Sequence, residues 1–204
     1  MKLYQSVGPN PAVVKMFIAE KGMDVPREEV DIRGGENRQG DFLKINPRGQ
    51  SPALVTDSGQ LVTEITAICE YLEEVQPSPA LIGTTPEERG ETRMWTRRVD
   101  LGICEPMANG FRYGEGIKMF EPRMRVLPEA ADGLKACAQD SLAWLDGQLA
   151  GKTWICGDRF TLADILLFSF LNFAGNVGQK INPDHSNVAA HFERCNERPS
   201  ASAN

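Results

Sequence analysis

The segment INPRGQSPAL, residues 45–54, places Pro52 at the head of a strand-like run, directly after the turn residues Asn46, Pro47, Arg48 and Gly49. Proline donates no ladder hydrogen bond and restricts its predecessor to extended geometry, so Ser51 is expected to be held open with its backbone available to another group. Other chemistries find fewer parts. The five cysteines (Cys69, Cys104, Cys137, Cys156 and Cys195) are far apart, odd in number and form no Cys-x-x-Cys pair. That pattern favours neither a disulfide framework nor a zinc site, and most of them read as reduced core residues. The two histidines, His185 and His191, both lie late in the sequence, which leaves metal chemistry and a His-dependent triad without obvious parts. Gly34-Gly35 lacks the spacing of a phosphate loop. Thr161 and Asp164, three residues apart before an apolar run, have the pattern of a capping box, with Phe160 able to pack on Ile165 as a staple. That is a folding device.

These residues sit in a chain of ordinary globular composition: 204 residues, 41% hydrophobic and 25% charged, enough for one large domain or two small ones. The net charge is −6, and Arg and Lys are scattered, which argues against nucleic acid or an anionic membrane surface as partner. A small molecule or a protein is the expected partner. MKLYQSVGPN carries no apolar signal core, and Ile165 to Leu171 is too short to span a bilayer, so a cytoplasmic protein is expected.

The periodicity changes along the chain. KLYQ at 2–5 reads as a strand, Ala12 to Lys21 as a helix stopped by Gly22, and Arg27 to Ile32 as a second strand. A short helical stretch surrounds Phe42 and Leu43. Pro52 to Thr56 and Gln60 to Thr63 flank the turn Asp57-Ser58-Gly59 as a hairpin. Ile65, Ile68, Cys69, Leu72 and Val75 then follow helical spacing. The order is βαβαββα. Residues 1–76 form this α/β domain, the proline-punctuated residues 77–86 read as a linker, and 87–204 as an all-α domain. Within it Leu134, Ala138, Ser141, Leu142, Leu145 and Leu149 share one helix face, while Ile165 to Phe173 is apolar nearly all round and central.

A βαβαββα domain with a proline opening its third strand, followed by a helical domain with a capped buried helix, resembles the glutathione transferase superfamily. The residues carrying the resemblance are INPRGQSPAL, LVTEITAICEYL at 61–72 and GDRFTLADI at 157–165, in that order along nearly the whole chain. The first loop, VGPNP, resembles that of the bacterial nu-like members. The resemblance implies a thioredoxin-like glutathione-binding domain, an all-α C-terminal domain, glutathione as co-substrate, no metal and a homodimer. It also implies a cis Ser51–Pro52 bond that turns the Ser51 main chain toward the cysteinyl part of glutathione.

At pH 7 glutathione carries two carboxylates and an ammonium. By the resemblance, the N–H groups at Glu64 and Ile65 suit the γ-glutamyl carboxylate and Glu64 the ammonium. Relatives usually place serine at Ile65, so one hydroxyl contact, about 1 kcal/mol, is absent and Thr66 is left to help. The glycyl carboxylate is placed near Asn37 and Gln50, two neutral amides, and is expected to be held loosely there. At the usual tyrosine position stands Gln5, with Tyr4 on the other strand face, so Ser6 and Asn10 are the thiolate-stabilising candidates; Asn10 could equally cap the first helix. The second substrate is expected against Trp95, Met107, Phe111 and Tyr113, with Trp95 also readable as core. The expected function is transfer of glutathione to, or reduction with it of, a small apolar electrophile, disulfide or peroxide. The alternative is a non-catalytic dimerising or regulatory protein on the same fold.

Overall fold

Leu3 and Gln5 are buried and Tyr4 between them is half-buried, the two-residue alternation of a strand with one face covered. The computed structural model, which describes residues 1–203, makes this strand (β1, Lys2–Gln5) the second of a four-stranded sheet. In chain order follow α1 (Pro9–Lys21), β2 (Arg27–Glu29), α2 (Gly40–Ile45), β3 (Ala53–Val55), β4 (Leu61–Val62) and α3 (Ile65–Val75), the βαβαββα order expected. The sheet order is β2-β1-β3-β4, with β1 parallel to β2 (Leu3 opposite Arg27) and antiparallel to β3 (Leu3 opposite Leu54). Leu3, Val13, Phe17, Ile18, Leu54, Ile68 and Leu72 form the core of this unit, with α1 packed on α3. On the other strand face Tyr4 meets Phe42 of α2 edge to face. Gly22 ends α1 in the left-handed conformation, φ 61°, which a glycine adopts without strain.

The chain divides into two units, one of Met1–Leu81 with the residues from Pro199 on, the other of Ile82–Arg198. Two features depart from the expected boundaries of 1–76, 77–86 and 87–204. The first half of the expected linker is anchored: the buried Lys21 ammonium pairs with Glu73 and donates to the carbonyls of Gln76 (2.8 Å) and Pro79 (2.6 Å). Glu73 also accepts the Leu81 N–H at 3.1 Å. Both charges are fully buried, so each needs these partners to offset desolvation. The second departure is the 3₁₀ turn Pro199–Ala203, which packs on α1, with the Ser200 hydroxyl donating to Glu20.

In the second unit come α4 (Pro86–Val99), α5 (Glu105–Tyr113), α6 (Ile117–Phe120), α7 (Ala131–Leu149), α8 (Leu162–Asn176) and α9 (Ser186–Asn196). Thr85 caps α4, its hydroxyl accepting the Glu88 N–H at 3.2 Å, with Pro86 in the first turn. Asp100–Cys104 forms one π turn between α4 and α5. Pro106 explains it: with no N–H to bond to the Gly102 carbonyl, the chain widens instead of continuing an α-helix. Every residue of α8 from Leu162 to Leu171 is buried, as its all-round apolarity requires. The capping box forms as expected, and Asp164 does more than cap: it accepts the N–H groups of Ile155 (2.9 Å) and Thr161 (2.8 Å), the Thr161 hydroxyl (3.0 Å) and His191 Nε2 (2.8 Å). Phe160 meets Trp154 edge to face, ring centroids 4.7 Å apart.

Candidate active site

The loop before β3 is shaped by two asparagines. Asn46 donates from its side chain to the Gln50 carbonyl (2.7 Å) and accepts the Arg48 N–H (3.1 Å), while Asn37 donates to the Gly49 carbonyl (2.6 Å). Gly49 sits at φ 61° with its Cα against the Asn37 carbonyl, where a Cβ would come within 2.6 Å of that oxygen. The clamp ends at Ser51, whose bond to Pro52 is cis, as the resemblance implied. Ser51 then makes no main-chain hydrogen bond among the described residues, and its hydroxyl is buried without a partner. A backbone N–H and C=O left unanswered beside a sheet are the groups an extended peptide would pair with.

Asn37 belongs to the support of this loop. It is 5% exposed, its amide nitrogen donates to the Gly49 carbonyl, and its Oδ1, buried without a partner, is an acceptor, the wrong polarity for a carboxylate. The expectation that Asn37 holds the glycyl carboxylate is therefore corrected. Gln50 is exposed, and beside it stand two arginines that the sequence reading passed over: Arg48 Nε donates to Gln50 Oε1 (3.0 Å), and an Arg38 amino group lies 3.5 Å from the Arg48 carbonyl. This end of the site is cationic where two neutral amides were expected. Arg48 lies inside the quoted INPRGQSPAL, so the signal was present.

Glu64 is the sole described non-glycine residue with positive φ, 67°, a conformation that costs on the order of 1–3 kcal/mol. It precedes α3 with its side chain exposed and forming no cap, and the first-turn N–H groups of Ile65, Thr66 and Ala67 have no acceptor among the described residues. Unanswered donors and the positive end of the helix dipole suit an anion.

At the start of α1 the cap residue is Gly8, at φ 115°, so Asn10 does not cap the helix; it occupies the second helical position with no side-chain cap bond. Pro9 and Pro11 have no N–H, and the Ala12 N–H is bonded to the Gly8 carbonyl at 3.3 Å. The Asn10 N–H is the donor of this turn left without an acceptor among the described residues. Ser6 is buried, its hydroxyl 3.4 Å from the Val7 carbonyl, a weak bond that leaves it able to turn elsewhere. Gln5 is committed to Glu29.

The chain's own thiols offer no alternative nucleophile in the core. Burial pushes Cys69 and Cys104 well above the usual thiol range and raises Cys156 as well. Among the described residues no group of His, Cys, Asp and Glu is placed to hold a metal, and no helix is long and apolar enough to cross a membrane.

In the helical unit Met107 is fully buried and its carbonyl accepts the Gln179 amide at 3.2 Å, so it is core, and its expected place on a substrate wall is corrected. Trp95 is likewise buried. Phe111 and Tyr113 are half-buried, Phe111 edge to face with Phe173 (5.1 Å) and Phe120 (6.1 Å).

Comparison with known proteins agrees with the fold. Residues 1–74 match the family described as Glutathione S-transferase, N-terminal domain, and residues 128–199 match Glutathione S-transferase, C-terminal domain. Gtt2 from Saccharomyces cerevisiae superposes with a TM-score of 0.91 at 30% identity, covering 99% of each chain. Glutathione S-transferase GstA of Escherichia coli O157:H7 is 31% identical over 98% of this chain and 94% of its own. The beta-etherase LigF of Sphingobium sp. strain SYK-6 superposes at 0.85 with 30% identity over 98% and 96% of the two chains. With both family domains matched and these relatives spanning almost all of its length, the chain belongs to the glutathione S-transferase family and is a glutathione transferase.

Proposed function

We propose that the chain lowers the thiol pKa of bound glutathione and transfers it to, or reduces with it, a small apolar electrophile, disulfide or peroxide, working as a cytoplasmic homodimer. The observation that carries this reading is the unanswered Ser51 main chain beside the cis Pro52. In it, glutathione pairs its cysteinyl amide with Ser51 as an added strand. Its ammonium meets Glu64, its γ-glutamyl carboxylate meets the N–H groups of Ile65 and Thr66, and its glycyl carboxylate meets Gln50 with Arg48 and Arg38. Asn10, by side chain and N–H, stabilises the thiolate, with Ser6 as its neighbour in the first loop. That loop holds no cysteine, so no enzyme–glutathione disulfide forms. Phe111 and Tyr113 are assigned to the apolar co-substrate.

The test is ultraviolet titration of the bound thiolate beside calorimetry of glutathione binding. Asn10→Ala should weaken the thiolate absorbance at neutral pH and slow turnover; Tyr4→Phe, whose ring packs on Phe42, should do neither. Loss of the signal in Tyr4→Phe with an intact Asn10→Ala would move the role to the tyrosine. Because a relative of similar identity is a beta-etherase, the substrate panel should set an aryl ether beside a haloarene, a disulfide and a hydroperoxide.

A further inference from the structure

Ser51 offers more than its main chain. Its hydroxyl is buried and makes no hydrogen bond among the described residues, although the residue as a whole is half-buried. A hydroxyl in that condition has lost bulk water and gained no partner, until a trapped water or a ligand answers it. Leu3 opposes Leu54 and Tyr4 opposes Ala53 in the antiparallel β1–β3 pair, so the same register carried two residues on sets Ser6 opposite Ser51. Side chains two apart share a face, which puts both serines on the Tyr4 side of the sheet, away from the buried Leu3 and Leu54. There the Tyr4 ring is engaged by Phe42, centroids 6.2 Å apart, while the Ser6 hydroxyl has only its 3.4 Å contact with the Val7 carbonyl.

On the other edge of β3, β4 sets Val62 opposite Leu54 and the chain then turns into α3 at Ile65, so no described strand covers Ser51 on that side. A peptide that adds itself there with its cysteinyl residue opposite Ser51 brings the two Cβ atoms to about 4.5–5.5 Å on one face of the sheet. Sulfur and hydroxyl then stand within hydrogen-bond reach, and Ser6, Ser51 and the thiol make one row across the sheet.

We propose that the side chain of Ser51 is a catalytic group in its own right: its hydroxyl donates a hydrogen bond to the glutathione sulfur, and the Ser6 hydroxyl donates in turn to Ser51 Oγ and orients it. This rests on glutathione lying at Ser51 as an added strand. The thiol proton leaves to solvent and both serines keep theirs, so the row acts as a donor to the thiolate and not as a base. A hydroxyl bonded to an ionised sulfur gains more than one bonded to a neutral thiol, and the thiolate is favoured by the difference.

Ser51→Thr and Ser51→Val form the test, since their side chains match in shape and differ in the hydroxyl. The thiolate absorbance of bound glutathione is titrated against pH on the full chain, with melting curves confirming that each variant is folded. Calorimetry of the analogue with 2-aminobutyrate in place of cysteine, the same backbone with a methyl group for the thiol, is the control. Ser51→Val should raise the pKa of the bound thiol by about one pH unit or more and slow turnover at neutral pH about tenfold. Ser51→Thr should titrate as the parent does, and both should bind the analogue with parental affinity. Ser6→Ala should move the titration in the same direction by less, and Tyr4→Phe should leave it in place. Equal titration in Ser51→Val and the parent would overturn the proposal and assign the hydroxyl to a trapped water. So would a titration raised as far in Ser51→Thr as in Ser51→Val. Failure of the parent to bind the analogue would instead overturn the added-strand reading, and the proposal with it.

Discussion

Two helices of this protein begin in opposite ways. At the start of α8 the donors are answered by the chain itself: Asp164 and Thr161 close a capping box, both residues are fully buried, and the carboxylate serves Ile155 and His191 besides. At the start of α3, Glu64 is exposed with a positive φ, makes no cap, and leaves the N–H groups of Ile65, Thr66 and Ala67 without acceptors among the described residues. Both termini carry the same donors and the same dipole. What differs is whether a side chain of the protein uses them, and that decides whether a helix start contributes to folding or to recognition.

The largest effect expected from breaking this contrast is at Asp164. Asp164→Ala strands His191 and two main-chain N–H groups in the core and should cost about 3–5 kcal/mol in urea denaturation, with glutathione affinity per folded molecule unchanged. A variant within about 1 kcal/mol of the parent would show that those donors find other partners. Glu64→Ala should do the reverse. Its stability should stay within about 0.5 kcal/mol of the parent, while glutathione dissociation rises by about 10- to 100-fold in calorimetry, as for a lost charged hydrogen bond. Unchanged affinity would remove Glu64 from the site.

Thr161→Ala isolates the cap from the rest of the Asp164 network and should lower stability by about 1 kcal/mol. Loss of turnover at an unchanged melting temperature would contradict the folding role. The smallest effect sharpens the other side: Glu64→Gly relieves the positive φ and should raise stability by about 1 kcal/mol while weakening glutathione as the alanine does. If stability fell instead, the backbone at Glu64 would carry no strain worth relieving.

What the sequence revealed follows from range. The βαβαββα order, the capping box and the proline before β3 are written in neighbouring residues, as periodicity, spacing or a missing N–H. Glu64 offers no such mark, since nothing in a glutamate announces a positive φ. His191 meets Asp164 from 27 residues away, and Lys21 reaches Gln76, Glu73 and Pro79 from more than 50, so neither the network below α8 nor the anchoring of residues 76–81 could be read locally. Asn37 was placed in the site by its position in the chain, yet its side chain turns inward to Gly49. Met107 was placed on a wall by apolarity, which does not separate a lining residue from a core one. Arg38 and Arg48 come beside Gln50 only through the turn at Gly49, a placement that matching positions in relatives do not convey.

The turn Pro199–Ala203 has a bearing on synthesis. It packs on α1, and Ser200 bonds to Glu20, so the glutathione-binding unit is discontinuous in sequence and includes residues translated after the whole helical unit. While the ribosome adds the intervening stretch, on the order of ten seconds at ordinary synthesis rates, the nascent first unit waits with one side of α1 uncovered. The helical unit is contiguous and can complete its fold as soon as it emerges, so the order of maturation runs against the order of translation.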